Sequence, residues 1–226
     1  MRILVVAATS AEIVPFVAGL RFESERDSRV SRYTCGAHRV DLLTTGVGMV
    51  ATAAWCSRVL ATEGYDMALN LGVCGSFDRT LVPGSVVHVV SECLPELGAE
   101  DNGAFLTIQE LKLLGDDEFP FQGGRMMNAA PPQNAVLRRL PPVDGITVNT
   151  VHGNEQSIAA VVERFRPHVE SMEGAAFMYA CLIHRLPCAE VRAVSNVVEK
   201  RNRSAWKIAE AIRGLGETAL DILDHA

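Results

Sequence analysis

Short apolar runs recur along the chain at intervals that suit the strands of a buried sheet. They cover residues 3–8, 40–45, 67–71, 85–90, 146–151 and 190–194. The first run is almost continuously apolar, which is typical of a strand that is covered on both faces. These runs therefore predict a sheet whose inner strands are buried between two layers.

Segments with helical periodicity lie between the runs, at residues 49–63, 158–165, 174–185 and 204–223. The last segment carries Ile208, Ile212 and Leu215 on one face, and Ser204 is its predicted N-cap. Strands that alternate with helices predict an α/β fold with a largely parallel sheet. We expect one domain, residues 1–226, in which a central twisted sheet is flanked by helices in three α/β/α layers.

Residues 95–145 interrupt this rhythm because they contain six prolines. One interpretation is a long irregular connection. The other is a segment that covers a substrate, since long ordered loops in compact domains are often functional. The sequence leaves both open.

Charge and cysteine content narrow the classes of partner. The chain has 226 residues, and 21 basic against 27 acidic side chains give a formal net charge of −6. This balance argues against a nucleic-acid partner, which would usually require a basic patch. No apolar run approaches the roughly 18 residues of a membrane span, so no membrane partner is expected. Six cysteines without metal-site spacing, and a start without a signal-peptide pattern, predict a cytoplasmic protein with reduced thiols and no bound metal.

Two glycine-rich turns follow predicted strands. Residues 45–51 have the form G-x-G-x-x-A, which is consistent with a dinucleotide site, a tight strand–helix turn, or a small-ligand site lined by backbone N–H groups. Residues 71–76 contain Gly75, which is predicted to line a pocket at the carboxyl edge of the sheet. Their Cys74 is either a thiol nucleophile or an inert buried thiol.

Five polar residues at strand or helix ends each allow a structural and a chemical interpretation. Glu12 follows the first strand and is either a solvated carboxylate or a general base. Glu173 opens a helix, where the helix dipole alone favours it, or it binds a ligand. Asn196 ends the last strand and either makes a turn or contacts a substrate. Arg201 and Arg203 form either a solvated charged face or an anion site.

Together these segments resemble the nucleoside phosphorylases and nucleosidases that cleave purine N-glycosidic bonds. Five segments are similar to five parts of the methylthioadenosine/adenosylhomocysteine nucleosidases. In order along the chain, these parts are the catalytic-acid turn (residues 3–12), two glycine turns (46–48 and 72–76), a ribose-binding Met-Glu pair (171–175) and the closing strand (193–196). The resemblance implies a mixed sheet, a nucleoside substrate, no cofactor, and a homodimer or higher homo-oligomer. It also implies site roles for Glu12, Gly75, Met172, Glu173 and Asn196.

Asn196 departs from the adenine nucleosidases, which carry Asp there, because an amide cannot donate a full proton. Residues 195–206 and 119–123 are instead similar to the futalosine hydrolases, which release hypoxanthine in a menaquinone-forming route. An amide NH2 suits N7 and O6 of a 6-oxopurine, although Asn also pairs with adenine. An adenine nucleosidase, a purine nucleoside phosphorylase and a non-catalytic nucleotide-binding module remain alternatives.

The distribution of basic residues favours hydrolysis over phosphorolysis. A phosphorylase holds phosphate with Arg among glycine-turn amides, yet residues 3–20 and 42–56 contain no Arg or Lys. A carboxylate at Glu12 would repel phosphate and could activate water. The futalosine resemblance further implies a carboxylate beyond the ribose, for which Arg201 and Arg203 are the predicted partners.

Overall fold

Strands and helices alternate along most of the computed structural model, which describes all 226 residues. The strands are β1 (Arg2–Ala7), β2 (Arg21–Asp27), β3 (Val30–Cys35), β4 (His38–Thr44), β5 (Met67–Ser76), β6 (Val86–Cys93), β7 (Gly98–Asp101), β8 (Ala104–Thr107), β9 (Phe121–Gln122), β10 (Arg125–Met127), β11 (Pro142–Thr147), β12 (Val169–Ser171) and β13 (Cys188–Val197). The α-helices are α1 (Val14–Ala18), α2 (Met49–Thr62), α3 (Glu155–Phe165), α4 (Gly174–Ile183) and α5 (Ile208–Asp224). Single 3-10 turns occupy Ser10–Ile13, Leu137–Arg139 and Arg203–Ala205.

Eleven strands form one mixed sheet in the order β2-β3-β4-β1-β5-β12-β11-β6-β10-β9, and β13 pairs with both β5 and β6. Strand β1 is parallel to β4 and β5, while β13 is parallel to β5 and antiparallel to β6. The carboxyl ends of β1, β4, β5 and β13 therefore meet at one edge of the sheet, where α/β folds bind ligands.

Alternate side chains of β1 show how the layers form. Ile3 and Val5 belong to the buried cluster that packs on α5, whereas Leu4 and Val6 belong to the cluster that packs on α2 and α4. Because successive strand residues face opposite sides, this strand needs apolar residues at every position. The predicted α/β fold, with its central mixed sheet between helical layers, is confirmed. None of the helices combines the length and the apolar content needed to cross a bilayer.

The structure differs from the sequence-based prediction at several boundaries. Helix α5 begins at Ile208 with Lys207 at its N-cap, and Ser204 lies in the preceding 3-10 turn, so the predicted cap is wrong. Strand β11 covers Pro142–Thr147, so it overlaps the predicted run of 146–151 only at its first two positions. The β2–β3 hairpin was missed because β2 is largely exposed and polar, which leaves no apolar signal.

Residues 95–145 are only partly irregular. They contain the β7–β8 hairpin, β9, β10 and the start of β11, and β10 pairs with β6 to extend the main sheet. The high proline content of residues 95–145 kept these short strands from being predicted from the sequence.

Candidate active site

One cavity of about 410 Å³ opens at the carboxyl edge of the sheet. Six of the seven predicted site residues line it: Glu12, Gly75, Met172, Glu173, Asn196 and Arg201. Arg203 lies outside the lining, and its guanidinium carbon is 6.0 Å from the Trp206 ring centroid. No residue from 95–145 lines this cavity, so the substrate-covering interpretation of that segment finds no support here.

Glu12 is fixed by hydrogen bonds to two separate elements. Its Oε2 accepts from the backbone N–H of Thr9 at 3.0 Å and from the Thr9 hydroxyl at 2.9 Å, which forms a capping box at the turn after β1. Its Oε1 accepts from the backbone N–H of Val73 in β5 at 3.2 Å. The carboxylate is therefore held between two parallel strand ends and faces the cavity in one orientation.

Glu173 stands at the start of α4 and is only 6 % exposed. Its Oε1 accepts the backbone N–H of Gly48 at 2.9 Å, at the N-terminus of α2. Gly46 and Gly48 have φ of 89° and 98°, a region that favours glycine. The anion at this glycine turn is thus a carboxylate of the chain itself, which argues against a dinucleotide or phosphate at the same N–H group.

Arg192 lies fully buried in β13 beneath the two carboxylates. Its Nε donates to Glu190 at 2.8 Å, its Nη2 donates to Asn70, and its Nη1 is 3.9 Å from Oε2 of Glu173. A β-carbon built on Gly72 would overlap the Arg192 guanidinium, so the second glycine turn makes room for this cation. We call the part of the cavity around Glu12 and Glu173, above Arg192, the carboxylate end.

Two further carboxyl groups meet below the carboxylate end. A β-carbon on Gly174 would overlap Oε1 of both Glu92 and Glu190, so these oxygens converge on the first residue of α4. Burial raises the pKa of both groups, and the charge of Glu190 further raises the pKa of Glu92, against the lowering effect of Thr147. Like-charged groups this close oppose each other's ionisation, which favours the protonated form of Glu92 in particular.

Asn196, Gly75 and Glu170 form a second part of the cavity, which we call the amide end. The Oδ1 of Asn196 accepts from the Ser195 hydroxyl at 2.8 Å, and Nδ2 donates to the Val197 carbonyl at 3.0 Å. A β-carbon on Gly75 would lie 3.5 Å from Asn196 Nδ2 and 3.5 Å from Glu170 Cγ. The amide NH2 retains a second hydrogen for a ligand.

A histidine–carboxylate pair at the amide end was missed from the sequence. Nδ1 of His152 lies 2.6 Å from Oε2 of Glu170, and the His152 backbone N–H donates to Oε1 at 3.1 Å. The ring of Phe77 meets the imidazole edge-on at 5.9 Å between centroids. The two residues are 18 positions apart, and no local pattern joins them.

Residues 198–207 bound the remaining side of the cavity with Glu199, Arg201, Asn202 and Trp206. The guanidinium of Arg201 stacks over the Trp206 ring at 5.3 Å. Most of this 198–207 segment is exposed. The guanidinium of Arg201 is therefore contacted by one aromatic ring and by solvent.

Cys74 lines the cavity, but the thiol-nucleophile interpretation is not supported. Burial raises its pKa to about 12, whereas a nucleophilic cysteine requires a lowered pKa. No hydrogen bond joins Cys74 to a histidine.

The model of the phosphorylase superfamily matches residues 2–226. The chain therefore belongs to the phosphorylase superfamily. Among curated proteins, the futalosine hydrolase of Streptomyces coelicolor is 32% identical over 225 residues, which cover 95% of this chain and 92% of that protein. The futalosine hydrolase of Thermus thermophilus is 29% identical over 80% of both chains. The resemblance to futalosine hydrolases inferred from the motifs is thus confirmed.

Solved structures agree on the fold. The methylthioadenosine/adenosylhomocysteine nucleosidase of Helicobacter pylori, with butyl-thio-DADMe-Immucillin-A, superposes with a TM-score of 0.83 at 14% identity, covering 100% of this chain and 99% of that one. The futalosine hydrolase of Helicobacter pylori superposes with a TM-score of 0.77 at 14% identity, covering 100% and 98%. At these identities the two structures support the architecture alone.

Proposed function

We propose that this protein hydrolyses the N-glycosidic bond of futalosine and releases hypoxanthine and dehypoxanthine futalosine in menaquinone biosynthesis. The observation that carries the proposal is the joint placement of Glu12, Glu173 and Asn196 around one cavity of nucleoside size, in a chain similar to futalosine hydrolases over 95% of its length. Arg201 is the one Arg or Lys that lines the cavity, so phosphate lacks a cationic site at the carboxylate end.

The carboxylate end supplies the reaction chemistry. Glu173 accepts hydrogen bonds from the ribose 2′- and 3′-hydroxyls, and Met172 packs beside the sugar. Glu12 takes a proton from the attacking water as the new C–O bond forms at the anomeric carbon. Negative charge on both side chains also stabilises the oxocarbenium character that develops on the sugar, so their contribution is largest in the transition state.

The amide end receives the purine. Oδ1 of Asn196 is engaged by Ser195 and one amide hydrogen by Val197, so the remaining amide hydrogen is donated to O6 of hypoxanthine and N7 stays accessible. Gly75 lets the base approach the backbone of β5.

The 198–207 segment receives the acidic tail of futalosine. Arg201 supplies the cation, since it lines the cavity and Arg203 does not. An exposed pair of this kind contributes modestly to binding and mainly selects among substrates.

The test is base release from futalosine, inosine and methylthioadenosine in phosphate-free buffer. Futalosine should release hypoxanthine without phosphate, and the other two should react more slowly. Preferential release of adenine would establish the adenine-nucleosidase alternative, and absolute dependence on phosphate would establish a phosphorylase.

We further propose a cytoplasmic homodimer whose subunits meet through α2 and α4. Val50 is 83 % exposed, and it adjoins an apolar groove lined by Met49, Ala53, Tyr179, Ala180 and Ile183. The groove begins at the glycine turn whose Val47 lines the cavity, so a second copy seated there would also shield the substrate. Val50→Glu should convert a dimer to a monomer in analytical ultracentrifugation, and an unchanged mass would exclude this face.

A further inference from the structure

Cleavage of the glycosidic bond leaves an electron pair on the purine, and the cavity must supply a proton for it. Seven ionisable side chains line the cavity: Glu12, Cys74, His152, Glu170, Glu173, Glu199 and Arg201. Carboxylic acids have ordinarily lost their proton near neutral pH, and a guanidinium does not release its proton. Burial raises the pKa of the Cys74 thiol to about 12. Histidine is the remaining type, and it ordinarily exchanges a proton between pH 5 and 8.

Glu170 fixes the orientation of the His152 ring. Its carboxylate is 4 % exposed and contacts both Nδ1 of the ring, at 2.6 Å, and the backbone N–H of the same residue, at 3.1 Å. Because Nδ1 faces this carboxylate, the imidazole carries a hydrogen there. The other nitrogen, Nε2, makes no hydrogen bond within the chain, so it is available to a ligand.

The register of the sheet brings this pair beside the amide end. Glu170 in β12 is paired with Gly75 in β5, and a β-carbon built on Gly75 would lie 3.5 Å from Nδ2 of Asn196. Ser171, Met172 and Glu173 follow Glu170 directly, so the pair and the ribose-binding residues belong to one short segment. A purine held by Asn196 therefore lies within the same part of the cavity as His152.

We propose that His152 is the acid that protonates the departing purine, and that Glu170 is the positioning residue that holds it. The inference rests on the proposed function. The C1′–N9 bond breaks and its electron pair passes into the purine, while the Nε2 proton of His152 moves to N7. The water oxygen bonds to C1′ and its proton moves to Glu12. Hypoxanthine leaves neutral, and solvent then returns a proton to His152 and removes one from Glu12.

His152 lines two adjoining cavities, and charged groups line both of them. On the side of the cavity these are Glu170, Glu199 and Arg201. On the side of an adjoining cavity they are Glu96, Glu100, Glu163 and Arg164.

The decisive experiment compares His152→Gln with the unchanged protein on futalosine and on N7-methylfutalosine. The methylated purine is already cationic and needs no proton at N7. His152→Gln should lower kcat on futalosine by at least about a hundredfold, the usual scale of general-acid catalysis, but should stay within about threefold on the methylated substrate. The unchanged protein should lose kcat as pH rises, and this alkaline limb should be absent in the variant.

Two further variants complete the test. Glu170→Gln should lower kcat more than it raises KM on futalosine, and should again spare N7-methylfutalosine. His184→Gln, at an exposed histidine on the C-cap of α4, is the matched control and should match the unchanged protein.

Equal losses on both substrates would overturn the acid assignment and make His152 a binding or packing residue, as would full activity of His152→Gln. Failure of the unchanged protein to release hypoxanthine from futalosine would instead overturn the proposed function, and this inference with it. The first result leaves the proposed function intact, so the two failures are distinguishable.

Discussion

The carboxylate end and the 198–207 segment line the same cavity but are built in opposite ways. Glu12 and Glu173 are each held by a backbone N–H from another element and lie above a fully buried arginine. Arg201, on the other side, is exposed and rests on the face of Trp206. Groups that meet reacting atoms need fixed positions, whereas a group that selects a flexible substrate tail tolerates motion. Under the proposed function, the chemistry is thus assigned to the core of the molecule and substrate selection to its surface.

Among substitutions that test this comparison, we expect the largest effect from Glu12→Gln. The amide keeps the size of the side chain but cannot take a proton from water, so kcat should fall by at least about a hundredfold while substrate still binds. Glu199→Gln is the matched control, because Glu199 lines the cavity from the 198–207 segment and should change kcat by less than about threefold. Loss of binding with kcat intact would refute the role of Glu12.

Glu173→Gln should have the next largest effect. Two charge-assisted hydrogen bonds to the ribose are worth on the order of 3 kcal/mol together, which corresponds to about a hundredfold in kcat/KM. Part of the loss should fall on kcat, because the bonds strengthen as positive charge develops on the sugar. The amide oxygen can still accept from Gly48, so folding should be retained, as circular dichroism would show. A near-normal kcat/KM would remove Glu173 from the site.

Arg201→Ala should act on KM and only modestly. We expect a rise of up to about fivefold for futalosine, since exposed ion pairs contribute about 1 kcal/mol or less, and a smaller rise for inosine, which lacks the acidic tail. Arg203→Ala is the matched control and should change neither KM, because Arg203 does not line the cavity. Equal effects of Arg201→Ala on both substrates would make Arg201 structural.

A fourth prediction concerns the free energy of unfolding and the two carboxyl groups below the carboxylate end, Glu92 and Glu190. The pKa values of Glu92 and Glu190 are raised by burial, so the folded state binds protons that the unfolded state has released above about pH 4.5. The free energy of unfolding should therefore fall as pH rises, by at most about 1.4 kcal/mol per pH unit for each proton involved. Glu92→Gln should flatten this slope in urea titrations at several pH values. An unchanged slope would show that the pair does not retain a proton.

The sequence predicted those cavity-lining residues that lie at strand ends, because the topology brings such ends together. Glu12, Gly75 and Asn196 each follow a run that reads as a strand, and the carboxyl ends of parallel strands share one edge. The buried ion pair of Glu190 and Arg192 was missed, although these two charged residues, two positions apart, interrupt an otherwise apolar strand. Such spacing places both side chains on one face and could have indicated a buried ion pair.

Other features left no local trace in the sequence. The contact of Glu170 with His152 depends on where β12 inserts beside β5, and a periodicity of apolar residues does not specify strand order. The N-cap prediction at Ser204 was wrong because Ser204 lies inside a separate 3-10 turn, Arg203–Ala205, and α5 begins only at Ile208. Short strands such as β9 and β10 are set by pairing with β6 and with each other rather than by their own composition.

The position of β13 between β5 and β6 also bears on how the chain is made. This strand is synthesised after every other strand, yet it pairs along both neighbours and carries Arg192, Ser195 and Asn196. Until residues 188–197 have left the ribosome, the edges that β5 and β6 share with β13 remain unpaired and open to non-native pairing. The nascent chain therefore cannot assemble its cavity in stages. Completion of the sheet and the ability to bind a nucleoside arrive together, and incomplete chains are exposed to chaperones and proteases.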